Sequence, residues 1–302
     1  MKGVGFKCLW IRSVDNFMVK IIDGKAIAQG IREQIKKEIQ ALKKGQGIVP
    51  KLCVILAGDD PASQGYVRNK EKACVEVGII GETLRYPVSV KEDELISVVK
   101  QLNNDSSVDG ILVQLPLPKG LNAQKIADEI SCSKDVDGLH PLNLGKLLRG
   151  ENPLFVACTP SGIMQMILST GVELKGKEAV VVGRSNIVGK PIALLLLEKH
   201  ATVTICHSRT ADLGAVCRRA DILVAAVGIP ELIKGDMVKE GAIVIDVGTN
   251  KVDGKWVGDV EFESASKRAA FISPVPGGVG PMTIAMLMQN TLLAAKRRAG
   301  RI

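Results

Sequence analysis

The stretch Val-Val-Val-Gly-Arg-Ser-Asn-Ile-Val-Gly-Lys-Pro, residues 180–191, decides the fold class of this chain. It predicts a buried strand, a tight glycine turn and the start of a helix, which is the arrangement of a phosphate-binding loop in a Rossmann-type unit. The free N–H groups at such a helix start attract phosphate. The pattern departs from G-x-G-x-x-G, because Ser185 replaces the second glycine and Gly189 comes one residue late. An ordinary strand–helix turn is therefore the alternative at this point.

Strand and helix patterns alternate on both sides of this loop. Aliphatic runs are found at 179–182, 202–206, 222–226 and 242–247, with helical segments at 191–200 and 211–219. Earlier in the chain, strands are predicted at 52–57, 84–88 and 111–115, and helices at 24–44, 61–78 and 123–130. A capping box at Ser89–Glu92 predicts a further helix, and the last helix is predicted to begin at Pro281. This alternation predicts an α/β fold with parallel strands, and 302 residues suffice for about two domains.

The end of the run at 202–206 bears on which dinucleotide the loop would bind. NAD enzymes usually place an acidic residue there for the ribose 2′-hydroxyl, but here the chain reads Cys206-His207-Ser208-Arg209. Arg209 and Arg184 could flank a 2′-phosphate, with Ser208 donating a hydrogen bond, because the arginine fork binds two oxygens at once. The sequence therefore favours NADP over NAD. The alternative is that both arginines are solvated surface residues.

One helix of the first half carries a lysine on its apolar face. At about 100° per residue, Lys70 falls in the same stripe as Tyr66 and Cys74, whereas Arg68 and Lys72 fall on the opposite face. A lysine in an apolar stripe loses hydration, so its pKa falls and the amine becomes usable as a general acid or base near neutral pH. The alternative is a structural lysine that snorkels to solvent or pairs with a carboxylate.

Two further polar residues and one loop belong to the same prediction. Gln114 follows a strand and Asp137 lies in a turn after a helix, at positions where α/β sheets bind ligands. Each could equally cap a turn. The loop at 274–281 is rich in glycine and proline, which permits close approach of a ligand to a stiff backbone. A plain interdomain hinge is the alternative for that loop.

Composition limits the classes of function. The formal net charge of +8 fits an anionic partner, but aromatic residues make up only 3% of the chain, which argues against a base-stacking RNA-binding protein. No apolar run is long enough for a membrane helix. Seven cysteines without a CxxC pair and three histidines predict a cytoplasmic enzyme with no structural metal. Residues 1–17 read as an N-terminal extension or a mis-assigned start, with a targeting role as the alternative.

Six short blocks together resemble one known family. They occur in the family's order from about residue 18 to the C-terminus, and jointly they are specific: Gly58–Ser63 with Tyr66, Val67 and Lys70; Val113–Pro118; Lys134–Gly138; Cys158–Pro160; Val182–Ser185; and Pro274–Thr283. The chain resembles the bifunctional methylenetetrahydrofolate dehydrogenase/cyclohydrolase (FolD) family. Thr249 is a departure, because the family often has isoleucine there; its backbone could still serve a cofactor.

The resemblance implies two domains and two consecutive reactions. It implies a folate domain at 18–159 completed by the helix at 283–302, a Rossmann-like NADP domain at 160–282, a folate cleft between them, and a homodimer formed through the cofactor domains. NADP would oxidise 5,10-methylenetetrahydrofolate to the methenyl form, and water would then convert this to 10-formyltetrahydrofolate. The implied setting is one-carbon metabolism and purine biosynthesis in the cytoplasm.

The resemblance also implies roles for individual residues. Lys70 would be the acid/base of the water step, and Gln114 would hydrogen-bond Lys70 and help set its pKa. Tyr66 would stack on or orient the folate, and Asp137 would hold the pterin ring. Further residues would line the folate cleft, namely Pro276, Gly277 and Gly278. The NADP contacts would be Gly183, Arg184, Ser185, Ser208 and Thr249, together with the Arg209 noted above.

Two other functions remain open from the sequence. A shikimate-type NADP dehydrogenase would account for residues 183–209, but not for Lys70 together with Gln114 and the loop at 274–283. A nucleic-acid-binding protein would account for the basic C-terminus, Lys296 to Arg301. The scarcity of aromatic residues and the lack of a recognition motif count against it.

Overall fold

A computed structural model describes residues 19–300, so the predicted extension at 1–17 lies outside the described residues. The described part forms eleven strands: β1 Lys20–Ile21, β2 Lys51–Ala57, β3 Ile80–Tyr86, β4 Gly110–Val113, β5 Glu178–Val182, β6 Thr202–Cys206, β7 Ile222–Ala225, β8 Ile243–Asp246, β9 Asn250–Val252, β10 Lys255–Val257 and β11 Phe271–Ile272. It forms ten α-helices: α1 Gly24–Gln46, α2 Pro61–Val77, α3 Glu92–Asn104, α4 Ala123–Asp128, α5 Pro141–Leu148, α6 Cys158–Ser169, α7 Gly189–Glu198, α8 Leu213–Cys217, α9 Phe262–Ala265 and α10 Val279–Arg298.

These elements divide into two compact units. One contains residues 19–27 and 159–282, and the other contains 28–158 and 283–300. The division made from the sequence gave residues 18–27 to the folate domain, whereas the structure places the described part of that segment with the second sheet. The physical reason is β1, whose two residues pair in parallel with β11. A two-residue strand is too short to show a hydrophobic period.

The unit of residues 159–282 contains a six-stranded sheet in the order β1-β11-β8-β7-β5-β6. Every ladder in this sheet is parallel, as predicted from the alternation of strands and helices. The strands β7 and β8 are buried along their whole length, which explains their continuous aliphatic runs. A small antiparallel hairpin, β9–β10, follows β8 and has no counterpart in the prediction.

The other unit contains a three-stranded parallel sheet in the order β3-β2-β4. The central strand β2 is buried from Leu52 to Ala57, and the aliphatic run predicted it. The strand predicted at 84–88 is instead β3, which begins at Ile80. Its first three residues are exposed because it forms an edge of the sheet, so the apolar pattern misplaced its limits.

Helix α2, which carries Lys70, is bounded by the residues that the sequence indicated. The Asp60 carboxylate accepts from the Ser63 N–H at 2.7 Å, and Pro61 occupies the first turn. The helix stops at Gly78, whose φ of 88° is left-handed. Cap, proline and glycine thus set the two ends of the helix that carries Lys70.

The predicted capping box at Ser89–Glu92 is wrong. Helix α3 begins at Glu92, and its N-cap residue Lys91 makes no side-chain cap bond. The Glu92 carboxylate is engaged elsewhere, because it accepts from the Asn122 backbone N–H at 2.8 Å and pairs with Lys125 at 2.7 Å. A tertiary contact has therefore replaced the local one.

Long apolar helices are not a feature of the described chain. Within residues 19–300, none of the helices has the length and hydropathy needed to cross a membrane.

Candidate functional site

Lys70 is buried in the unit of residues 28–158, with only 9% of its surface exposed. Its neighbours along the helix face, Val67 and Cys74, are buried as well, and Lys72 on the opposite face is exposed. The Lys70 Nζ donates a hydrogen bond to Gln114 Oε1 at 2.7 Å. The helical pattern thus predicted the burial of this lysine, and the hydrogen bond to Gln114 that the family resemblance implied is present.

Gln114 is held in one orientation. It directly follows β4, and its Nε2 donates to the Leu115 carbonyl oxygen at 2.7 Å. The next peptide bond, Leu115–Pro116, is cis. With the amide nitrogen committed to that carbonyl, the amide oxygen faces Lys70. The glutamine is therefore a fixed acceptor for the lysine amine.

The electrostatics of the Lys70 region are dominated by burial. Burial lowers the pKa of Lys70, and the nearby Asp137 and Cys158 partly oppose this shift. Burial raises the pKa of Asp137, and Lys70 and a hydrogen bond with Cys158 act against that rise. The lysine and the carboxyl group are therefore both shifted toward their uncharged forms, which is the condition for proton transfer near neutral pH.

Asp135 anchors the turn that carries Asp137. The Asp135 carboxylate accepts from the backbone N–H of Leu139 at 3.2 Å and of His140 at 2.8 Å, and from Asn143 Nδ2 at 2.9 Å. Gly138 has a φ of 76°, and a Cβ there would lie 2.5 Å from the backbone of Ala157. The turn is thus fixed by buried hydrogen bonds and by a glycine that no other residue can replace without strain.

Two residues near this turn were missed by sequence reasoning as parts of the site. Asn290 of α10 donates from Nδ2 to the carbonyl oxygens of Val136 at 2.9 Å and Val156 at 3.0 Å. The Cys158 thiol donates to the Val136 carbonyl at 3.3 Å. Cys158 lies in the Cys-Thr-Pro block quoted above, which was a usable signal. Nothing local in the sequence marks Asn290, because its partners are more than 130 residues away.

Tyr66 lies one helical turn before Lys70 on α2. Its exposed fraction of 38% is the largest in the predicted stripe, so the ring is available at the surface of this unit. The structure therefore brings together Lys70, Gln114 and Asp137, and it leaves Tyr66 on the rim of the same helix face.

In the other unit, the loop after β5 has the backbone that the glycines predicted. Gly183 has a φ of 129°, and a Cβ on it would lie 2.2 Å from the Ala226 carbonyl oxygen. A Cβ on Gly189 would lie 2.2 Å from the Gly183 carbonyl oxygen. The Ser185 Oγ accepts from the Val188 N–H at 3.1 Å, which closes the turn without a second glycine. This explains how Ser185 fits a loop of this type.

The charged residues assigned to the cofactor are at the surface of that unit. Arg184 and Ser185 are exposed after β5, and Ser208 and Arg209 are exposed after β6. The Arg209 backbone N–H donates to His207 Nδ1 at 3.1 Å, so the turn after β6 is ordered while the guanidinium remains outside it. β5 and β6 are neighbours in parallel, so both sets of residues lie at the same edge of the sheet.

Two further loops of this unit carry predicted residues. Thr249 is exposed after β8, where its Oγ1 donates to the Val247 carbonyl at 3.4 Å. The loop with Pro276, Gly277 and Gly278 lies against the start of α1, because the Gly277 carbonyl accepts from the Lys25 N–H at 2.9 Å. The peptide bond before Pro276 is cis. Thr249 follows the carboxyl end of β8, which is two strands from β5 in the sheet. The loop at 276–278 is held in place by its hydrogen bond with the start of α1.

A dinucleotide-binding parallel sheet in one unit and a buried lysine bonded to a glutamine in the other define an α/β oxidoreductase. Two family models match the chain. The model for the tetrahydrofolate dehydrogenase/cyclohydrolase catalytic domain covers residues 22–137, and the model for the NAD(P)-binding domain of the same family covers 157–299. The chain belongs to the tetrahydrofolate dehydrogenase/cyclohydrolase family.

Individual relatives agree with the family models. The bifunctional protein FolD of Moorella thermoacetica is 58% identical over 279 residues, covering 92% of this chain and 99% of that protein. The FolD crystal structure from Campylobacter jejuni is 49% identical, with a TM-score of 0.90, and covers 92% of this chain and 99% of that one. A Trypanosoma brucei FolD structure, complexed with NADP cofactor and inhibitor, is 42% identical with a TM-score of 0.89 and covers 94% and 99%.

The shikimate-type alternative is not favoured by these similarities. A shikimate 5-dehydrogenase structure from Thermus thermophilus is 15% identical with a TM-score of 0.50, which shows a shared fold alone. Both family models and the relatives above 40% identity point instead to folate enzymes.

Proposed function

We propose that this protein oxidises 5,10-methylenetetrahydrofolate to 5,10-methenyltetrahydrofolate with NADP and then hydrolyses the product to 10-formyltetrahydrofolate. The observation that carries the second activity is the buried Lys70–Gln114 pair beside Asp137. A dehydrogenase alone needs no such pair, because hydride transfer uses no protein base. The protein is thus a bifunctional enzyme of one-carbon metabolism.

The residues of the six-stranded sheet fit NADP. When bound, the cofactor accepts a hydride from the folate. Gly183 lets the chain turn close against Ala226 after β5 and lead into α7, whose free N–H groups at its start can bind phosphate. The exposed Arg184 and Arg209 supply positive charge for a 2′-phosphate, with Ser208 next to Arg209 in the chain as a donor. Thr249 is assigned to the same cofactor from the family pattern.

For the water step, we assign the proton transfers to Lys70. Its lowered pKa favours the free amine, which takes a proton from the water that adds to the methenyl carbon. The resulting ammonium returns the proton to the folate nitrogen whose bond to that carbon breaks. One proton is released overall, because the methenyl substrate is a cation and the formyl product is not. Gln114 holds the amine in place throughout.

The remaining assignments follow the family pattern. Asp137 binds the pterin ring, and Tyr66, exposed on the rim of α2, stacks on the folate or orients it. The assignment of Pro276, Gly277 and Gly278 to the folate rests on the family pattern. We also propose a homodimer formed through the cofactor domains, a cytoplasmic location and a supply of formyl groups to purine biosynthesis. Sedimentation analysis of the purified protein tests the dimer.

The experiment that tests the function follows methylenetetrahydrofolate and NADP by absorbance with wild type, Lys70→Ala and Lys72→Ala. The wild type should form NADPH and the 10-formyl product. Lys70→Ala should accumulate the methenyl form, with the water step slowed by about 10²- to 10⁴-fold. Lys72→Ala is the matched control, because it removes an exposed lysine from the same helix.

Each outcome has a definite meaning. A wild type that stops at the methenyl form is a dehydrogenase only, and the role given to Lys70 is then wrong. If neither NADP nor NAD is reduced, the proposed dehydrogenase activity fails. If Lys72→Ala matches Lys70→Ala, loss of positive charge on α2 is responsible, and burial of Lys70 is not.

A further inference from the structure

Two buried aspartates lie together at the end of the six-stranded sheet that is formed by the carboxyl ends of its strands. Asp246 is the last residue of β8 and is 4% exposed, and Asp259, after the β9–β10 hairpin, is 0% exposed. The Asp259 backbone N–H donates to Asp246 Oδ1 at 2.9 Å. Neither residue has a role in the function proposed above. Buried carboxylates are costly, so their place in the fold needs a reason.

Asp259 ties together the segments that follow two neighbouring strands. Its Oδ2 accepts from the Val227 N–H at 2.6 Å and the Gly228 N–H at 2.9 Å, both after β7. Its Oδ1 accepts from Asn250 Nδ2 at 2.9 Å, which lies beyond β8. One carboxylate therefore fixes the loop after β7 against the loop after β8.

Asp246 holds the same region from the other side. It accepts from the backbone N–H of Gly248 and of Val260, each at 2.9 Å. A Cβ on Gly248 would lie 2.3 Å from Asp259, and a Cβ on Gly258 would lie 1.8 Å from Asp246 Oδ2. The two glycines make room for the two carboxylates, so the arrangement is a built one. Burial raises the pKa of Asp246 to about 6, which Asp259 reinforces and three backbone hydrogen bonds oppose.

The sheet order indicates which part of NADP these loops would meet. The strands run β8-β7-β5-β6 along this edge. The phosphate-binding turn with Gly183 and Arg184 follows β5. Ser208 and Arg209, which are assigned to the 2′-phosphate together with Arg184, follow β6. An extended dinucleotide that lies across carboxyl ends with its adenine half over β5 and β6 has its nicotinamide half over β7 and β8.

We propose that Asp246 and Asp259 are positioning residues that hold the loops after β7 and β8 in the form that receives the nicotinamide half of NADP. This inference rests on the proposed function, because it assumes NADP at this edge. The carboxylates act through backbone N–H groups and Asn250 and do not touch the cofactor themselves. Their effect should therefore be confined to one half of the dinucleotide.

The test compares two probes on the full-length Asp259→Asn variant by calorimetric titration. NADP contains both halves, whereas adenosine 2′,5′-bisphosphate contains the adenine half with its 2′-phosphate. Asparagine keeps the shape of the aspartate side chain. It replaces one of the two carboxylate oxygens by an NH2 group, although the two oxygens together accept from three donors. We expect NADP to bind at least about tenfold more weakly, with the adenosine bisphosphate affinity unchanged. The value of KM for NADP should rise in parallel.

Asp221→Asn is the matched control. Asp221 precedes β7 at the opposite edge of the same sheet, where it accepts from the Glu178 N–H at 2.9 Å. This variant should bind both probes like wild type. If Asp259→Asn does not fold, Asn250→Ala removes one of the same hydrogen bonds from a partly buried position, and a smaller loss confined to NADP is expected.

Three results would separate the possibilities. An equal loss for NADP and the adenosine bisphosphate would mean a general structural role and would overturn the inference. Unchanged NADP binding in Asp259→Asn and in Asn250→Ala would overturn it as well. A wild type that binds neither probe would contradict the proposed function instead.

Discussion

The Lys70 region and the loop after β5 reach their chemistry by opposite means. Around Lys70 the important groups are side chains: Lys70 and Gln114 are buried and hydrogen-bonded to each other, and Asp137 lies partly buried near Lys70. At Gly183 the important feature is the backbone, and the charged side chains beside it are exposed. Proton transfer needs a pKa shifted by burial, whereas binding of a phosphorylated dinucleotide needs accessible positive charge. The protein therefore buries the Lys70 amine and leaves the guanidinium groups of Arg184 and Arg209 exposed to water.

The largest effect is expected where the backbone itself is changed. Gly183→Ala places a Cβ 2.2 Å from the Ala226 carbonyl oxygen in a left-handed conformation. We expect NADP affinity to fall by at least about 100-fold and the free energy of unfolding to fall by about 2–4 kcal/mol. Titration with NADP and chemical denaturation measure the two. Gly145→Ala in α5 is the control, because a Cβ there meets nothing within 4 Å. Normal NADP binding in Gly183→Ala would break the comparison.

A smaller effect is expected from the exposed charge. Arg209→Ala removes a guanidinium proposed to bind the 2′-phosphate, so NADP affinity should fall by about 10- to 100-fold. NAD affinity should stay the same, because NAD lacks that phosphate. The ratio of the two dissociation constants is the measurement. Arg218→Ala, an exposed arginine that follows α8, should leave the ratio unchanged. Equal losses for both dinucleotides would show that Arg209 is not a specificity residue.

Asp137→Asn tests the buried region through the pH dependence of the water step. The Asp137 charge raises the pKa of Lys70 against the larger lowering by burial, so removing that charge lets this pKa fall further. The base form then persists to lower pH. The acid limb of kcat/KM should move to lower pH, whatever happens to its height. Asp128→Asn, exposed on α4, should not move the limb. A shift to higher pH would contradict the electrostatic account of Lys70.

The smallest effect is expected from the cap of α2. Asp60→Ala removes the acceptor for the Ser63 N–H, which should lower the free energy of unfolding by about 1 kcal/mol. The water step should be nearly unchanged, because burial rather than the cap sets the pKa of Lys70. Thermal unfolding and the methenyl assay measure the two effects, with the neighbouring exposed Asp59→Ala as control. A large loss of activity would show that the first turn of α2 controls the position of Lys70.

The two regions also differ in how much of them could be predicted from sequence. Local signals were sufficient for α2, because Asp60, Pro61 and Gly78 each act on neighbouring residues. The burial of Lys70 followed from helical spacing. The glycine turn after β5 was also predicted from local spacing, although Ser185 in place of a glycine left the pattern ambiguous. In the structure the Ser185 hydroxyl closes the turn.

What could not be predicted depends on partners far apart in the chain. The capping box failed because Glu92 is bound by Asn122 and Lys125, which no local rule anticipates. The roles of Asn290 and Asp259 depend on hydrogen bonds across 154 and 32 residues. Sequence reasoning found the residues whose own spacing is unusual. It missed residues such as Asn290 and Asp259, which hold distant segments of the chain in position through hydrogen bonds.

The pairing of β1 with β11 has a consequence for the order in which the protein is made. Lys20 is synthesised well before its partner Phe271. Asn290, which fastens the turn of Asp137, comes later still. Contacts so distant in sequence form slowly and only once both partners exist. During translation, β1 therefore cannot pair until β11 has been made, and the Asp137 turn is fastened only when Asn290 of α10 has been made.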